Sequence, residues 1–370
     1  MLSKTRAIVT AISRAAADHV ELTVVVGSEE RTAVAFPPLT GPVAVGDTVV
    51  VNTTARDLGL GTGGVDFVIH NESQPLPGST GDPDGHIVKL RYTPLQHTVS
   101  AVEMDPQYGP IWESAGSLMQ TPVVVGGLHS QIAPAAAAIK AVRPDARIAY
   151  IMTDAAALPL ALSALVRALK GAGLLDATLT AGQAFGGDYE CVTVASALLA
   201  AKWIARADVI LVAQGPGSAG TGTRYGFSGI EQGPLLDLAS RLWGNPVGVL
   251  RLSFADPRDR HNGLSHHSVT SLGLLAQSPA TLGFPSGNNL AVRAKDLAAL
   301  RESVENSPLA ALHTIEEAEG APGMALLSER GVPVRSMGRT PADDPIFFHA
   351  AAAAGALAAA RIRPRLAQAV

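Results

Sequence analysis

A single cysteine, Cys191, stands among 370 residues. It can form no intrachain disulfide and no cysteine-cluster metal site, and the hydrophobic helical pattern after it marks it as a packing residue. Neither sign of charge dominates: 28 lysines and arginines against 32 aspartates and glutamates leave a net charge of −4. That balance argues against a nucleic-acid partner held by bulk positive charge. Long apolar runs are missing as well. The opening MLSKTRAIVTAISRAAADHV meets Arg14 and Asp18 before a signal-peptide core is complete. Near the other end, Ala350 to Ala360 falls well short of the roughly 20 residues that cross a bilayer. The expectation is a soluble, cytoplasmic protein without a membrane partner. What the chain does have is apolar content, 47% of its residues, and a length that leaves room for two domains with sizeable cores.

The first hundred or so residues read as short strands. Arg6–Ile12, Val20–Val26, Arg31–Phe36 and Thr48–Asn52 are β-branched or alternating, with turn signals at Gly27-Ser28, Pro37-Pro38 and Val45-Gly46-Asp47. A glycine-rich loop at Asp57–Gly64 precedes the strand Asp66–His70, and His86–Leu90 and His97–Glu103 look like two more. The expectation over residues 1–115 is a small β-barrel-like domain, serving to cover the larger domain or to form a homodimer.

From Thr121 the period changes. Bare apolar strands at Pro122–Val125, Arg147–Met152, Ala177–Ala181, Val209–Val212, Val247–Leu252 and Thr281–Phe284 alternate with helices. The helices are expected over Pro134–Val142, Leu158–Leu169, Val192–Ala205, from near Leu235 to Trp243, and over Ala291–Ser303 and Ile346–Arg361. Strands without polar alternation, each followed by a helix, indicate a mainly parallel, doubly wound, Rossmann-like α/β sheet over residues 116–370. Thr314–Glu317 is too acidic for a strand and reads as a helical turn; Met324–Leu327 and Val332–Met337 look apolar or strand-like.

In such a sheet, ligands sit beyond the carboxyl ends of the strands. Four stretches follow strands closely and should share that rim: Gly126 to Gln131, Asp154, the loop Gly215–Gly229, and Ser253–His267. The loop carries Gly215, Gly217, Ser218, Gly220, Thr221, Gly222, Thr223 and Arg224. Glycine lets backbone N–H groups turn inward, so a cradle for an oxyanion or phosphate is expected here, with Arg224 adding a forked guanidinium. Gly215 to Gly220 also spells the dinucleotide fingerprint, yet the loop stays glycine-rich past the point where a helix should begin, and no acidic residue ends a second strand downstream. Ala219–Thr223 looks like the glycine-threonine loop of tubulin-like GTPases over those few residues alone. A glycine-rich surface turn is the plain alternative.

The second concentration of polar chemistry is FADPRDRHNGLSHHS, with Arg260, His261, Ser265, His266 and His267. Ser265 is placed to N-cap a helix running to Gln277, which puts the adjacent histidines in its first turn, suited to anion contact or to acid–base work. His-x₄-His-His is not a recognised zinc spacing, and adjacent histidines on a helix diverge by about 100°; a metal would need outside ligands such as Asp154, Asp188 or Glu190, so no metal is assigned. His129 and His266 or His267 are the candidates for proton transfer, with Asp154 orienting one of them.

Five phrases, VVVNTTARDLGLGTGG, VVVGGLHSQ, GPGSAGTGTRYGFSGIEQG, RHNGLSHHS and RSMGRTPADDPIFFHAAAAAG, spread over nearly the whole chain, resemble a bacterial family known only as domain of unknown function 3866. The resemblance implies a long, single-family bacterial protein and supplies no activity. The leading expectation from the residues is an enzyme acting on an anionic, phosphorylated or similar small molecule; the alternatives are a non-catalytic nucleotide or metabolite sensor and a structural scaffold. No cofactor follows from the chain.

Overall fold

The protein is described here by a computed structural model covering residues 2–60, 64–75, 84–287 and 290–363. Part of the expected Asp57–Gly64 loop and the final residues 364–370 lie outside the described residues. The chain divides into two compact units, Met1–Ser100 and Ala101–Val370.

In the first unit, β1 (Lys4–Ala15), β2 (Val20–Val26), β3 (Glu29–Ala35), β4 (Thr48–Asn52) and β5 (Asp66–Asn71) close into a barrel in the order β1-β2-β3-β5-β4. All its pairings are antiparallel except β3 with β5. Alternation explains the closure. Ala7, Val9, Leu22, Val24, Val49 and Val51 point inward and are buried, while their neighbours along the strands are more exposed. The Gly46-Asp47 turn is held by Asp47, whose buried carboxylate accepts from Ala44 N at 2.8 Å and Asn71 Nδ2 at 2.7 Å. A short hairpin, β6 (Ile87–Lys89) with β7 (His97–Val99), completes this unit.

The second unit carries β8 (Pro122–Val125), β9 (Ile148–Thr153), β10 (Ala177–Thr180), β11 (Tyr189–Glu190), β12 (Val209–Gln214), β13 (Asn245–Val249), the two-residue strands β14 (Leu252–Ser253) and β15 (Gly263–Leu264), β16 (Thr281–Ser286) and β17 (Thr314–Glu319). Eight of them form one sheet in the order β11-β10-β9-β12-β8-β13-β16-β17. Every pairing in it is parallel, as the unalternating strands predict. Helices cover both faces. Val194–Trp203 and Gln232–Arg241 pack with Ile151 and Val212 on one face; Ile132–Val142, Ala164–Gly171, Ala321–Glu329 and Pro345–Ala360 pack with Tyr150, Met152 and Leu211 on the other.

Strand order decides where the rim opens. From β8 the chain steps over to β9 and on to β10; from β12 it steps the opposite way, over β8, to β13. The connections therefore part on either side of β12, which makes the carboxyl end of that strand the topological switch point.

Four expected elements differ, one of them Val332–Met337, which is irregular apart from the isolated bridge between Ser336 and Arg339. The helix expected from Leu158 starts at Ala164, because Pro159 is extended and Ser163 supplies the N-cap, its Oγ accepting from Val166 N at 3.0 Å. Thr314–Glu319 is a strand, β17, not a helical turn. It is a sheet edge, so its glutamates face solvent and arginines: Arg361 reaches Glu316 at 2.6 Å and Arg301 pairs with Glu317. Met324–Leu327 lies in the helix Ala321–Glu329, where a Cβ on Gly323 would sit 2.7 Å from Ala138; only a bare backbone lets the two helices approach this closely.

Candidate functional site

The glycine loop leaves β12 as a tongue bonded to itself. Ser228 N donates to Ala219 O at 2.9 Å, Thr221 N to Gly226 O at 2.7 Å, and Gly220 bridges Phe227. At the tip, Thr223 N reaches Thr221 Oγ1 and Gly226 N reaches Thr223 Oγ1, each at 3.2 Å. A Cβ on Gly226 would lie 2.4 Å from Thr221 Oγ1 and 2.5 Å from Thr223 Oγ1, so those hydroxyls would have to move aside and give up their bonds within the loop. The N–H groups of Ala219, Thr221, Thr223 and Gly226 are thus taken within the loop. Gly215 is buried, while Gly217, Ser218, Gly220, Thr221, Gly222, Thr223 and Arg224 are exposed. A cradle made of these N–H groups is not what the bonding pattern offers. The contribution of the loop to the rim is its last aromatic, Phe227, which is buried.

Phe227 lies flat on His267, ring centroids 3.6 Å apart and planes within 5°. His261, His266 and His267 stand together, with centroids 4.5 to 4.9 Å apart, and one ring nitrogen from each falls within 4.8 Å of the others. Adjacent on a helix, His266–Ser268, that lasts three residues before the π-helix Val269–Leu275, His266 and His267 still bring their rings together. Ser265 caps this helix as expected: its Oγ accepts from His267 N at 3.2 Å and lies 2.7 Å from His261 Nδ1.

Beside the imidazoles is Arg251, the second residue past β13 and buried. Its Nη1 lies 2.9 Å from His267 Nδ1. A guanidinium only donates, so His267 Nδ1 must present a lone pair and the ring proton sits on Nε2. Asp256 gathers the charge behind it: Arg258 Nη2 at 2.8 Å, Arg339 Nη2 at 3.3 Å and Arg251 Nη2 at 3.5 Å all reach one carboxylate oxygen. Arg339 also approaches Asp344 at 3.3 Å. Burial would raise the Asp256 carboxyl, but hydrogen bonds from the Arg258 side chain and backbone hold it well below the usual range. Two carboxylates against three guanidiniums, with the exposed Arg260 nearby, leave the cluster net positive. Burial first, and then these arginines, lower the histidines: His261 falls to about 3, and His266 and His267 also drop from 6.5. The imidazoles are neutral at pH 7. His266 Nε2 and Arg251 Nε are buried without a hydrogen-bond partner.

His129 occupies a different setting. Its Nδ1 is 3.2 Å from the Gln214 carbonyl and 3.1 Å from Tyr150 Oη, and its Nε2 is 2.7 Å from Ser163 Oγ. The carbonyl accepts only, so Nδ1 carries the proton and Ser163 donates to Nε2. Both nitrogens are engaged, burial lowers the ring to about 4, and the imidazole ties β8, β12 and the cap of the helix Ala164–Gly171 together. Asp154, exposed at the end of β9, accepts from Gln183 N at 2.8 Å. Among the described residues no hydrogen bond joins Asp154 to His129, His266 or His267.

Ser130, next to His129, bonds Ser336 Oγ at 2.9 Å, and Met337, one residue on, puts its sulfur 3.6 Å from Arg251 Nη2. The ends of β8, β12 and β13 are thereby linked at one rim. A groove of about 660 Å³ runs nearby, lined by Phe254, Asn262, Arg293, Asp296, Leu300 and Asp344 among others, but none of the three histidines lines it.

Asp188 and Glu190, weighed as outside ligands, are spent on structure: Asp188 takes Lys170 at 2.5 Å and Thr178 N at 2.8 Å, and Glu190 takes Thr180 Oγ1 at 2.8 Å and Gly186 N at 2.5 Å. Sequence reasoning passed over Arg251, Phe227 and Glu231, and named Asp256 only as part of the polar stretch around His261. The available signals were a lone arginine just past the apolar run of β13, and an acid (Glu231) between the glycine loop and its helix. No helix among the described residues is long and apolar enough to cross a membrane. No curated protein and no solved structure matches the chain. Residues 32–355 do match one family over most of the length, and the chain belongs to it: the family described as protein of unknown function (DUF3866).

Proposed function

We propose that the chain binds the anionic group of a small molecule, a phosphate or carboxylate, among Arg251, His261, His266 and His267, and acts on that molecule as an enzyme. The carrying observation is the 2.9 Å contact from Arg251 to His267 Nδ1. It leaves the Nε2–H of His267 as a donor, and His266 Nε2 has no partner. Neutral imidazoles that offer N–H groups, set in a net positive surround, suit an oxyanion. Lowered by burial and by the arginines, they are poorly matched to proton transfer near pH 7 and serve better as donors. Arg260 adds long-range attraction from the surface.

Titration with inorganic phosphate, followed by imidazole nitrogen resonances and calorimetry, tests this. Binding should move His266 and His267 and weaken by about tenfold or more in Arg251→Met; no binding in the wild type, or binding indifferent to Arg251, defeats the reading. One observation favours a second reading, a divalent metal: three ring nitrogens lie within 4.8 Å. It requires His267 to give up the Arg251 contact, because a metal needs a lone pair where the Nε2 proton stands. A cobalt(II) absorption band lost in His266→Ala would establish that reading instead. Phosphate binding without turnover of any phosphate ester would make the chain a sensor.

A further inference from the structure

We propose that the crevice expected of the switch point, at the carboxyl ends of β9 and β12 beside Thr153, Gln214, Ser218 and Glu231 and near Asp154, is a second ligand site that takes hydroxyl groups of a polyol. Thr153 and Gln214 are direct partners across the β9–β12 ladder, so their side chains leave the same face of the sheet. Glu231 arrives over that face at the end of the 3₁₀ turn Ser228–Glu231, and its Oε1 accepts from Thr153 Oγ1 at 2.5 Å. Among the described residues its Oε2 makes no hydrogen bond, and no lysine, arginine or histidine side chain bonds Glu231 or Asp154. Gln214 is 1% exposed. Its Nε2 donates to Gly127 O at 2.9 Å and Ser218 Oγ at 3.2 Å, which settles the orientation of the amide and leaves Oε1 buried with no partner. The crevice therefore offers acceptors awaiting donors, at the place where open parallel sheets hold ligands.

A hydroxyl fits this set better than an ammonium. Burial, with Asp154 nearby and against the Thr153 bond, pushes Glu231 up to about 7, so the carboxyl exchanges between acceptor and donor near neutrality. A hydroxyl can meet both forms; an ammonium can only donate. The crevice lies four residues along the chain from Phe227, roughly 8 Å at the 3₁₀ rise. A phosphorylated polyol is long enough to reach the imidazoles as well, although the polyol site does not depend on the anion site.

Saturation-transfer NMR on the full chain tests the proposal with D-ribose, D-glucose, myo-inositol and glycerol as probes and ethanol as the control without adjacent hydroxyls. At least one polyol should receive saturation and ethanol none. Glu231→Gln should weaken the bound polyol by about tenfold while inorganic phosphate binds as before. Glu231→Asp, which withdraws the carboxyl by one methylene, gives the same readout should the glutamine variant melt early. Failure of every polyol to bind, or undiminished binding in both variants, overturns the proposal. Loss of phosphate binding with polyol binding intact defeats the anion reading alone.

Discussion

Arg251 decides the chemistry of its neighbours because a guanidinium cannot accept a hydrogen bond. Removing it in Arg251→Met should let the His267 titration, followed by proton NMR of the ring, climb back toward 6.5, since both the positive charge and the donor on Nδ1 are gone. The buried imidazoles also tie stability to pH. His129 and His261 are lowered from 6.5, to about 4 and about 3. The unfolded chain binds those protons first, so their contribution is complete above about 6.5 and is lost as pH falls toward the folded values. The melting temperature should fall between pH 7 and pH 4. Glu231 runs the other way: raised from 4.5 to about 7, its contribution is complete below 4.5 and disappears as pH rises through 7. The melting temperature of Glu231→Gln relative to wild type should therefore rise with pH across that window. A flat difference would show that Glu231 ionises as an ordinary surface carboxylate.

The elements around the rim are fitted by small residues. The helix Pro345–Ala360 is rich in alanine, and it lies against Ile132–Val142 closely enough that a Cβ on Gly355 would sit 2.2 Å from the Ala135 carbonyl. Gly355→Ala should destabilise the protein by about 1–3 kcal/mol in thermal or denaturant melts, even though alanine is the better helix former by roughly 1 kcal/mol. Elements were legible where one period ruled: the buried strands Pro122–Val125 and Val209–Gln214 and the alanine-rich final helix sit close to where their patterns put them. They were misread where the setting overrode composition. The glutamates of Thr314–Glu317 argued against a strand until that stretch proved to be the sheet edge, where charge is harmless and arginines answer it. An apolar run as short as Met324–Leu327 fits strand and helix equally.

All residues of both candidate sites lie in Ala101–Val370, and the barrel is compact in its own right. A chain beginning at Ala101 is expected to fold and to bind phosphate with the affinity of the whole; calorimetry checks this, and a folded fragment that has lost binding would place barrel residues in the site. Composition and periodicity alone settled the division into a β barrel and a parallel α/β unit, because burial on one face or on two imprints a period on the chain. They also placed the polar residues at the carboxyl ends of strands. Which of these residues meet was beyond them. His129 meets Tyr150 and Ser163, His267 sits against Phe227 and Arg251, and Glu231 faces Thr153. Those partners come from strands and loops far apart in sequence, and strand order, which no local pattern encodes, brought them together. Proton positions and charge follow from the partners, so the chemistry of the rim belongs to the tertiary structure.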